Sequence, residues 1–451
     1  MGNGKPDLLL AFYGDDFTGS TDALEFLCRA GARAALFLAP PTPAQLARFP
    51  GLRAVGVAGR TRALGPAAIT AELRPALAAL RALGAPHVHY KVCSTFDSSP
   101  RVGSIGRAID VAAEIFPARF VPLLVGAPAL GRYCVFGNLF ARMGIGSAGV
   151  IHRLDRHPAM SRHPVTPARE SDLRRHLAPQ TRKRIGLFDI LQFARSAEEQ
   201  RAALERIAAD GAGVVLFDVL ESRQLEPIGR LLDAEARRAA PLFSVGSSGV
   251  EMALGAVWAA EGRLTPVRDW PDPGPAGPLL VASGSCSPVT EQQIAWAVGH
   301  GFAEVALEAA ALGAARGRAV REAAAVAAAA GHLRAGRSVI VHTSRGGVNR
   351  RLAALRGRAA ELVGTALGRV VRGAVEQARP RRVVIAGGDT SSHAVRTLGL
   401  EALEMIAPLA PGAPLCRARA PGSPLDGLEV NFKGGQVGAE DYFGAVARGS
   451  V

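Results

Sequence analysis

Gly14-Asp15-Asp16-Phe17-Thr18-Gly19-Ser20 sets two adjacent carboxylates on a glycine-flanked turn after a short apolar run. Carboxylates that close repel each other unless something positive or hydroxylated stands between them. A polyol, a metal ion or an arginine would serve. So would a simpler role, in which one Asp or Thr caps the free N–H groups of a following helix. Further on, Tyr90-Lys91-Val92-Cys93-Ser94-Thr95-Phe96-Asp97-Ser98-Ser99-Pro100 strings hydroxyl and acid groups behind one lysine. That is the composition of a loop for a small polar substrate. Asp97 also suits a plain turn into Ser98-Ser99-Pro100, and Cys93 reads as a small buried hydrophobe rather than a nucleophile. Gly59-Arg60-Thr61-Arg62 offers two guanidinium groups that could fork a carboxylate or phosphate, against the plain reading of a solvated loop.

The second half carries a different chemistry. Val383-Val384-Ile385-Ala386 ends in Gly387-Gly388-Asp389-Thr390 and runs into a helix-like segment. Paired glycines before a helix start expose backbone N–H groups that can cradle a phosphate. The same punctuation recurs at Ser283-Gly284-Ser285-Cys286-Ser287, at Thr343-Ser344-Arg345-Gly346-Gly347 and at Lys433-Gly434-Gly435-Gln436-Val437-Gly438. Several such loops in one stretch point to a nucleotide site at the edge of a single sheet. Neither a GxxxxGK motif followed by Ser or Thr nor a suitable GxGxxG is present, so the cradle is of another kind. A nucleotide held there would bring Mg²⁺ with it; no metal ligands are assigned.

The elements that must position these loops alternate. Strand-like runs at Leu8–Tyr13, Ala34–Leu38, Leu52–Val57, His87–Val92, Phe120–Val125, Ile185–Leu187 and Gly213–Asp218 are separated by alanine-rich, helix-like segments, the first from about Asp22. Such alternation predicts doubly wound, mainly parallel sheets whose ligands sit beyond the carboxyl ends of the strands. Residues 264–277 hold four prolines and read as a linker. Two α/β domains facing a shared cleft are therefore expected, 1–263 and 278–451. His157-Pro158 to Thr166-Pro167 has neither helix nor strand pattern and suits a rigid wall, with His163 and Thr166 as hydrogen-bonding groups. Val245-Gly246-Ser247-Ser248-Gly249 reads as an anion nest or a tight turn.

Composition narrows the classes. A chain of 451 residues with 48% hydrophobic and 20% charged residues is globular and too long for one ordinary core. No apolar run reaches membrane-spanning length. The N-terminus lacks a signal layout, and the five cysteines are scattered without a CxxC pair. The cytoplasm is the expected setting. The net charge of +14 is nearly all arginine, spread thinly, with no basic block longer than Arg182-Lys183-Arg184, and aromatics are 5%. Nucleic-acid binding is not expected; an anionic small substrate accounts for the charge equally well. Lysine occurs only four times, yet Lys91 and Lys433 both stand inside the motifs above, which suits sites that need a compact ammonium.

Taken in order, these motifs resemble the four-carbon acid sugar kinases across essentially the whole chain. Asp15-Asp16-Phe17-Thr18-Gly19 is similar to that family's DDxTG signature. The loop from Lys91 to Pro100 and the segment His163-Pro164-Val165-Thr166-Pro167 resemble its 3-oxo-tetronate kinase branch. The resemblance implies an ATP- and Mg²⁺-dependent phosphotransferase whose first domain takes a sugar acid and whose second takes the nucleotide. It implies Asp15, Asp16 and Lys91 at the chemistry, and Thr18, Gly19, Arg60, Arg62, Ser94, Thr95, Asp97, His163 and Thr166 around the acid. Around the nucleotide it implies Ser285, Ser287, Ser344, Gly387, Gly388, Asp389, Thr390, Gly435 and Gly438. Gly103-Ser104-Ile105-Gly106-Arg107 and the trio Gly434, Gln436 and Val437 depart from the branch's usual residues, which leaves the identity of the acid open. A non-catalytic sugar-acid sensor and an NAD-dependent dehydrogenase are the competing classes, the latter disfavoured by the missing GxGxxG. A homodimer is compatible with all three.

Overall fold

The computed structural model describes residues 7–144, 148–163, 165–308, 315–344 and 359–450. Two compact units divide the chain between Arg268 and Asp269. No described helix is long and apolar enough to cross a membrane.

In the first unit the strands are β1 (Leu10–Gly14), β2 (Ala34–Phe37), β3 (Ala54–Ala58), β4 (His87–Lys91), β5 (Val121–Leu124), β6 (Arg132–Val135), β7 (Asn138–Arg142), β8 (Ile151–Arg153), β9 (Ile185–Phe188), β10 (Val214–Phe217) and β11 (Leu242–Gly246). Eight of them form a wholly parallel sheet in the order β2-β3-β1-β4-β11-β5-β10-β9. The central strands β1, β3, β4 and β11 are buried on both faces, which is why they read as unbroken apolar runs. Helices α1 (Phe17–Arg29), α2 (Pro43–Leu46), α3 (Pro66–Ala82), α4 (Ile105–Ile115), α5 (Leu173–Leu177), α6 (Ala197–Ala209), α7 (Leu225–Arg238) and α8 (Gly249–Ala260) connect them. The first helix starts at Phe17 and not near Asp22. Thr18, Gly19, Ser20 and Thr21 are weak helix formers, but the Asp16 side chain accepts the Gly19 N–H as an N-cap and nucleates the turn. Strands β6, β7 and β8 form a separate antiparallel sheet that the sequence pattern did not suggest.

The second unit contains β12 (Leu280–Ser283), β13 (Ala303–Ala306), β14 (Val339–His342), β15 (Arg382–Ala386), β16 (Ala402–Ala410), β17 (Ala413–Arg419) and β18 (Glu429–Lys433). Strands β13-β14-β12-β15-β18 run parallel. A hairpin of β16 and β17 adds antiparallel to β18. Helices α9 (Pro288–Gly299), α10 (Ala315–Arg334), α11 (Ala359–Ala378), α12 (Gly388–Leu398) and α13 (Tyr442–Arg448) cover it. Val281, Ile340, Val384 and Leu415 pack with Ile294, Tyr442 and Phe443 in its core. Residues 309–314, within the alanine-rich stretch, and Arg345-Gly346-Gly347 lie outside the described residues.

Candidate active site

In the first unit the parallel register brings four strand ends level: Gly14 pairs with Ala58 and with Lys91, and Gly246 pairs with Lys91. The ladder continues past the strands. Asp15 N donates to Lys91 O (2.8 Å), Gly59 N to Gly14 O (2.9 Å), Arg62 N to Asp15 O (3.0 Å) and Val92 N to Gly246 O (2.7 Å). The loops that carry the acids and cations are thus held by main-chain bonds.

Asp16 is engaged on both oxygens. Oδ1 accepts the Gly19 N–H at 2.9 Å, and Oδ2 accepts Thr18 Oγ1 at 2.8 Å and pairs with Arg62 Nη1 at 2.8 Å. Both sequence readings of this turn, cap and arginine partner, therefore hold for Asp16. Asp15 differs. It is buried, and its Oδ1 has no hydrogen-bond partner among the described residues. Burial, reinforced by the Asp16 charge and opposed by Arg62 and Lys91, raises its pKa to about 8. A carboxyl that keeps its proton near neutrality but surrenders it readily suits proton exchange with a hydroxyl.

Lys91 is fully buried under this turn. Its Nζ pairs with Asp22 Oδ2 at 3.1 Å and donates to Val92 O at 3.0 Å. A Cβ on Gly19 would lie 2.5 Å from Asp16 Oδ1 and 3.4 Å from Lys91 Nζ, so only glycine lets the α1 turn descend between them. Burial pulls the lysine pKa down, but Asp22 and Glu251, helped by Cys93 and Asp15, outweigh it and hold the ammonium charged. Glu251 shares no hydrogen bond at either carboxyl oxygen, and burial lifts its pKa to about 8 against the pull of Lys91. His89 lies beside it, with Nε2 3.5 Å from Glu251 Oε1, and is driven down to about 3, first by burial and then by Lys91. Ser248 Oγ donates to Asp22 Oδ2. Asp22, Ser248, Glu251 and His89 form a buried shell around Lys91 that sequence reading missed. Its signal was faint: a charged residue inside each of two helices, α1 and α8, at positions that should be apolar.

The substrate-loop residues fall close by. Thr95 Oγ1 donates to Asp97 Oδ1 (3.0 Å) and lies 3.0 Å from Cys93 Sγ; Ser94 is buried. Cys93 has its pKa raised to about 12 by burial, then by Asp97, as befits a packed thiol. Arg60 reaches an exposed ion pair with Glu72 (Nε–Oε2 2.9 Å), whereas Arg62 pairs with Asp16. His163 Nδ1 accepts the Thr166 N–H (3.1 Å) and lies 3.0 Å from Thr166 Oγ1. The two residues thus brace their own segment. Ser247 Oγ donates to Val125 O and accepts the Gly249 N–H, which makes that motif a tight turn.

The second unit repeats the design. Ser283 pairs with Ala386 and His342, and Ala386 with Lys433. Gly284 N then donates to Ala386 O, Thr343 N to Ser283 O and Gly387 N to Lys433 O. Three loops converge beyond these ends. A Cβ on Gly387 would stand 3.3 Å from Ser285 N, one on Gly284 2.4 Å from Thr390 Oγ1, and one on Gly435 2.9 Å from Ser285 Oγ. Ser287 caps α9 through the Val289 N–H. Gly387 has φ +116° and opens α12, whose first residues, Gly388 to Thr390, present free N–H groups. Ser344 is buried next to the Thr343 link. The Asp389 side chain lies outside the described residues. Gly438 packs on Tyr442 and is held by Gln293, turning the chain into α13. Lys433, buried, donates to Thr290 Oγ1 (3.2 Å), which donates to Gly435 O (3.0 Å). Burial alone lowers its pKa to about 7.

Comparison with known proteins accounts for both halves. Residues 10–254 match a family model described as a sugar-binding N-terminal domain, and residues 280–443 one described as a nucleotide-binding C-terminal domain. The chain belongs to the four-carbon acid sugar kinase family and is a phosphotransferase acting on a hydroxyl group. A 3-oxo-isoapionate kinase of Paraburkholderia graminis is 46% identical over 98% of this chain and 95% of its own. A 3-oxo-tetronate kinase of Methylobacterium radiotolerans is 34% identical over 97% of this chain and 98% of its own. A crystal structure of a protein from Salmonella typhimurium LT2 superposes with a TM-score of 0.75 at 27% identity, covering 98% and 99% of the two chains.

Proposed function

We propose that the chain transfers the terminal phosphoryl group of ATP to a hydroxyl of a short 3-oxo sugar acid, 3-oxo-isoapionate before 3-oxo-tetronate. The buried, unpartnered Oδ1 of Asp15 carries this reading: a proton acceptor stands with the Arg62 and Lys91 charges beside it, at the end of a rigid sheet. The order of the two acids follows identity, 46% against 34% over nearly the same span. Asp15 takes the proton of the acceptor hydroxyl as its oxygen attacks the γ-phosphorus, and ADP leaves with the bridging oxygen. Arg62 and Lys91 balance the charge that builds up. Asp16 acts through position, fixing the turn and Arg62.

The ATP phosphates would rest on the N–H groups that open α12 and on the Ser285 and Gly435 loops. Among the described residues no three His, Cys, Asp or Glu side chains gather to hold a metal. Mg²⁺ would therefore arrive on the nucleotide's own phosphates, as it often does. None of the five cysteines forms a disulfide, and reduced thiols favour the cytoplasm. Gly387→Ala forces a β-carbon into a positive-φ position, at about 1–3 kcal/mol. It is expected to raise KM for ATP roughly tenfold or more while leaving KM for the acid unchanged, read from initial rates with each substrate varied.

The deciding experiment is ADP release with Mg-ATP across tetronic, pentonic, 3-oxo-tetronic and 3-oxo-isoapionic acids, with Asp16→Ala as control. A strong signal with one 3-oxo acid, lost in the control, is expected. ATP binding without ADP release on any acid would instead favour the sensor.

A further inference from the structure

The assigned motifs leave the acid's carboxylate without an obvious holder. Arg62 is taken by Asp16, Arg60 by Glu72, and Lys91 by Asp22 and Val92 O. One further guanidinium is buried in the first unit, on the antiparallel sheet that the sequence did not suggest. Arg132 opens β6 directly after Gly131 and is only 6% exposed. Its Nη1 alone is used for structure, sharing its hydrogens among Leu130 O (3.1 Å), Gly131 O (3.3 Å) and Arg142 O (3.1 Å). Those bonds fix the plane of the group. Its Nε has no partner, and among the described residues no hydrogen bond runs from Nη2.

The unused edge is the one that matters. Nε–H and one Nη2–H of an arginine point in parallel and match the two oxygens of a carboxylate. A buried guanidinium edge left bare is costly unless something completes it. The acidic groups that most strongly oppose the effect of burial on this arginine are Cys93, Asp97 and Asp22, two from the substrate loop and one from α1. None of the three hydrogen-bonds to it, and Cys93 holds its proton. Arg132 therefore stands in the electrostatic neighbourhood of the substrate loop, with no hydrogen bond from its Nε among the described residues.

We propose that Arg132 is the carboxylate clamp of the sugar-acid site, binding the substrate's carboxylate side-on through Nε and Nη2. The proposal rests on the sugar-acid kinase reading and makes a statement about specificity: this chain requires an acid, and a neutral polyol of the same length lacks the group that Arg132 recognises.

The test uses the full chain with 2,3,4-trihydroxybutanoate as probe and butane-1,2,3,4-tetrol as its neutral counterpart. Binding of each is measured by calorimetry for the wild type, Arg132→Lys and Arg132→Gln, alongside thermal unfolding and the kinetics of whichever acid the ADP-release panel selects. Arg132→Lys keeps the charge but not the fork. It is expected to unfold within about 3 °C of the wild type, to raise KM for the acid at least 30-fold, and to leave KM for ATP within twofold. The preference for acid over tetrol should shrink accordingly. A folded Arg132→Lys with acid affinity within threefold of the wild type would overturn the proposal. If both variants fail to fold, a crystal structure of the wild type with the trihydroxybutanoate decides. A carboxylate on Nε and Nη2 supports the clamp, and one on Arg62 or Lys91 overturns it. A wild type that binds the acid through Arg132 but phosphorylates nothing would instead defeat the kinase reading alone.

Discussion

Asp15→Asn is expected to abolish turnover and stabilise the protein in the same stroke. Loss of a positioned proton acceptor costs about 10²–10⁴-fold in kcat, and KM for ATP should hardly move. The wild-type kcat/KM for the acid should climb as pH rises toward about 8, where burial has placed the Asp15 pKa, because only the carboxylate form accepts a proton. In Asp15→Asn that limb should vanish from whatever rate remains. Stability runs the other way. The folded-state pKa lies above that of the unfolded chain, so the wild type has the full contribution of protonated Asp15 below about pH 4 and loses it as pH rises through about 8. The amide cannot ionise. Asp15→Asn should therefore match the wild type at about pH 4 and below and melt higher, by about 3–6 °C or more, at pH 8.5, read from thermal unfolding across that range. A variant that is less stable at pH 8.5 would mean that Asp15 ionises in the folded protein at no cost, and its role as the reluctant acid would fall.

Lys91→Met carries the second large effect, and here the whole first unit is at stake. Lys91 pairs with Asp22, and Glu251 lies in the same buried shell with no hydrogen bond at its carboxyl oxygens among the described residues. Burial, against the pull of Lys91, holds the Glu251 proton to about pH 8, so the ammonium has Asp22 as its bonded partner. Removing the lysine strands the Asp22 charge in a dry interior. Breaking one side of a buried pair costs about 3–5 kcal/mol, so the melting temperature should fall by roughly 10 °C. The double variant Lys91→Met/Asp22→Asn should regain much of that loss without regaining activity. That split separates the lysine's part in folding from its part in catalysis. A melting temperature unchanged in the single variant would show that the Lys91–Asp22 pair does not hold the fold.

What could be read from the sequence follows the physics of parallel sheets. Central strands buried on both faces are continuous apolar runs, and whatever follows their carboxyl ends is where ligands bind. Asp15, Asp16, Lys91, Ser285, Gly387 and Gly435 were therefore legible, since each directly follows or ends such a run. The N-cap of α1 was half legible: the cap residue was foreseen, but the weak helix formers behind it moved the expected helix start to Asp22. Arg132 was invisible. It lies on a four-residue strand whose burial alternates, in a chain where arginine is everywhere, and only the three carbonyls around its Nη1 distinguish it from its surface relatives. Asp22 and Glu251 were hidden for a related reason. A charged residue inside a helix normally faces water, and nothing short of the packing of α1 and α8 on β4 turns these two inward.

The small antiparallel sheet has a consequence of another order. It leaves the parallel frame after β5 and is tied back beyond β10 by the Phe136 and Gly137 N–H groups on Asp218 and the bridge between Cys134 and Val219, and to the segment before α5 by the bridge between Asn138 and Asp172. Asp15, Lys91 and the glycine loops of the second unit all belong to the frames. A lineage could therefore exchange this sheet like a cassette, trading one acid for another, while the machinery of transfer stays untouched.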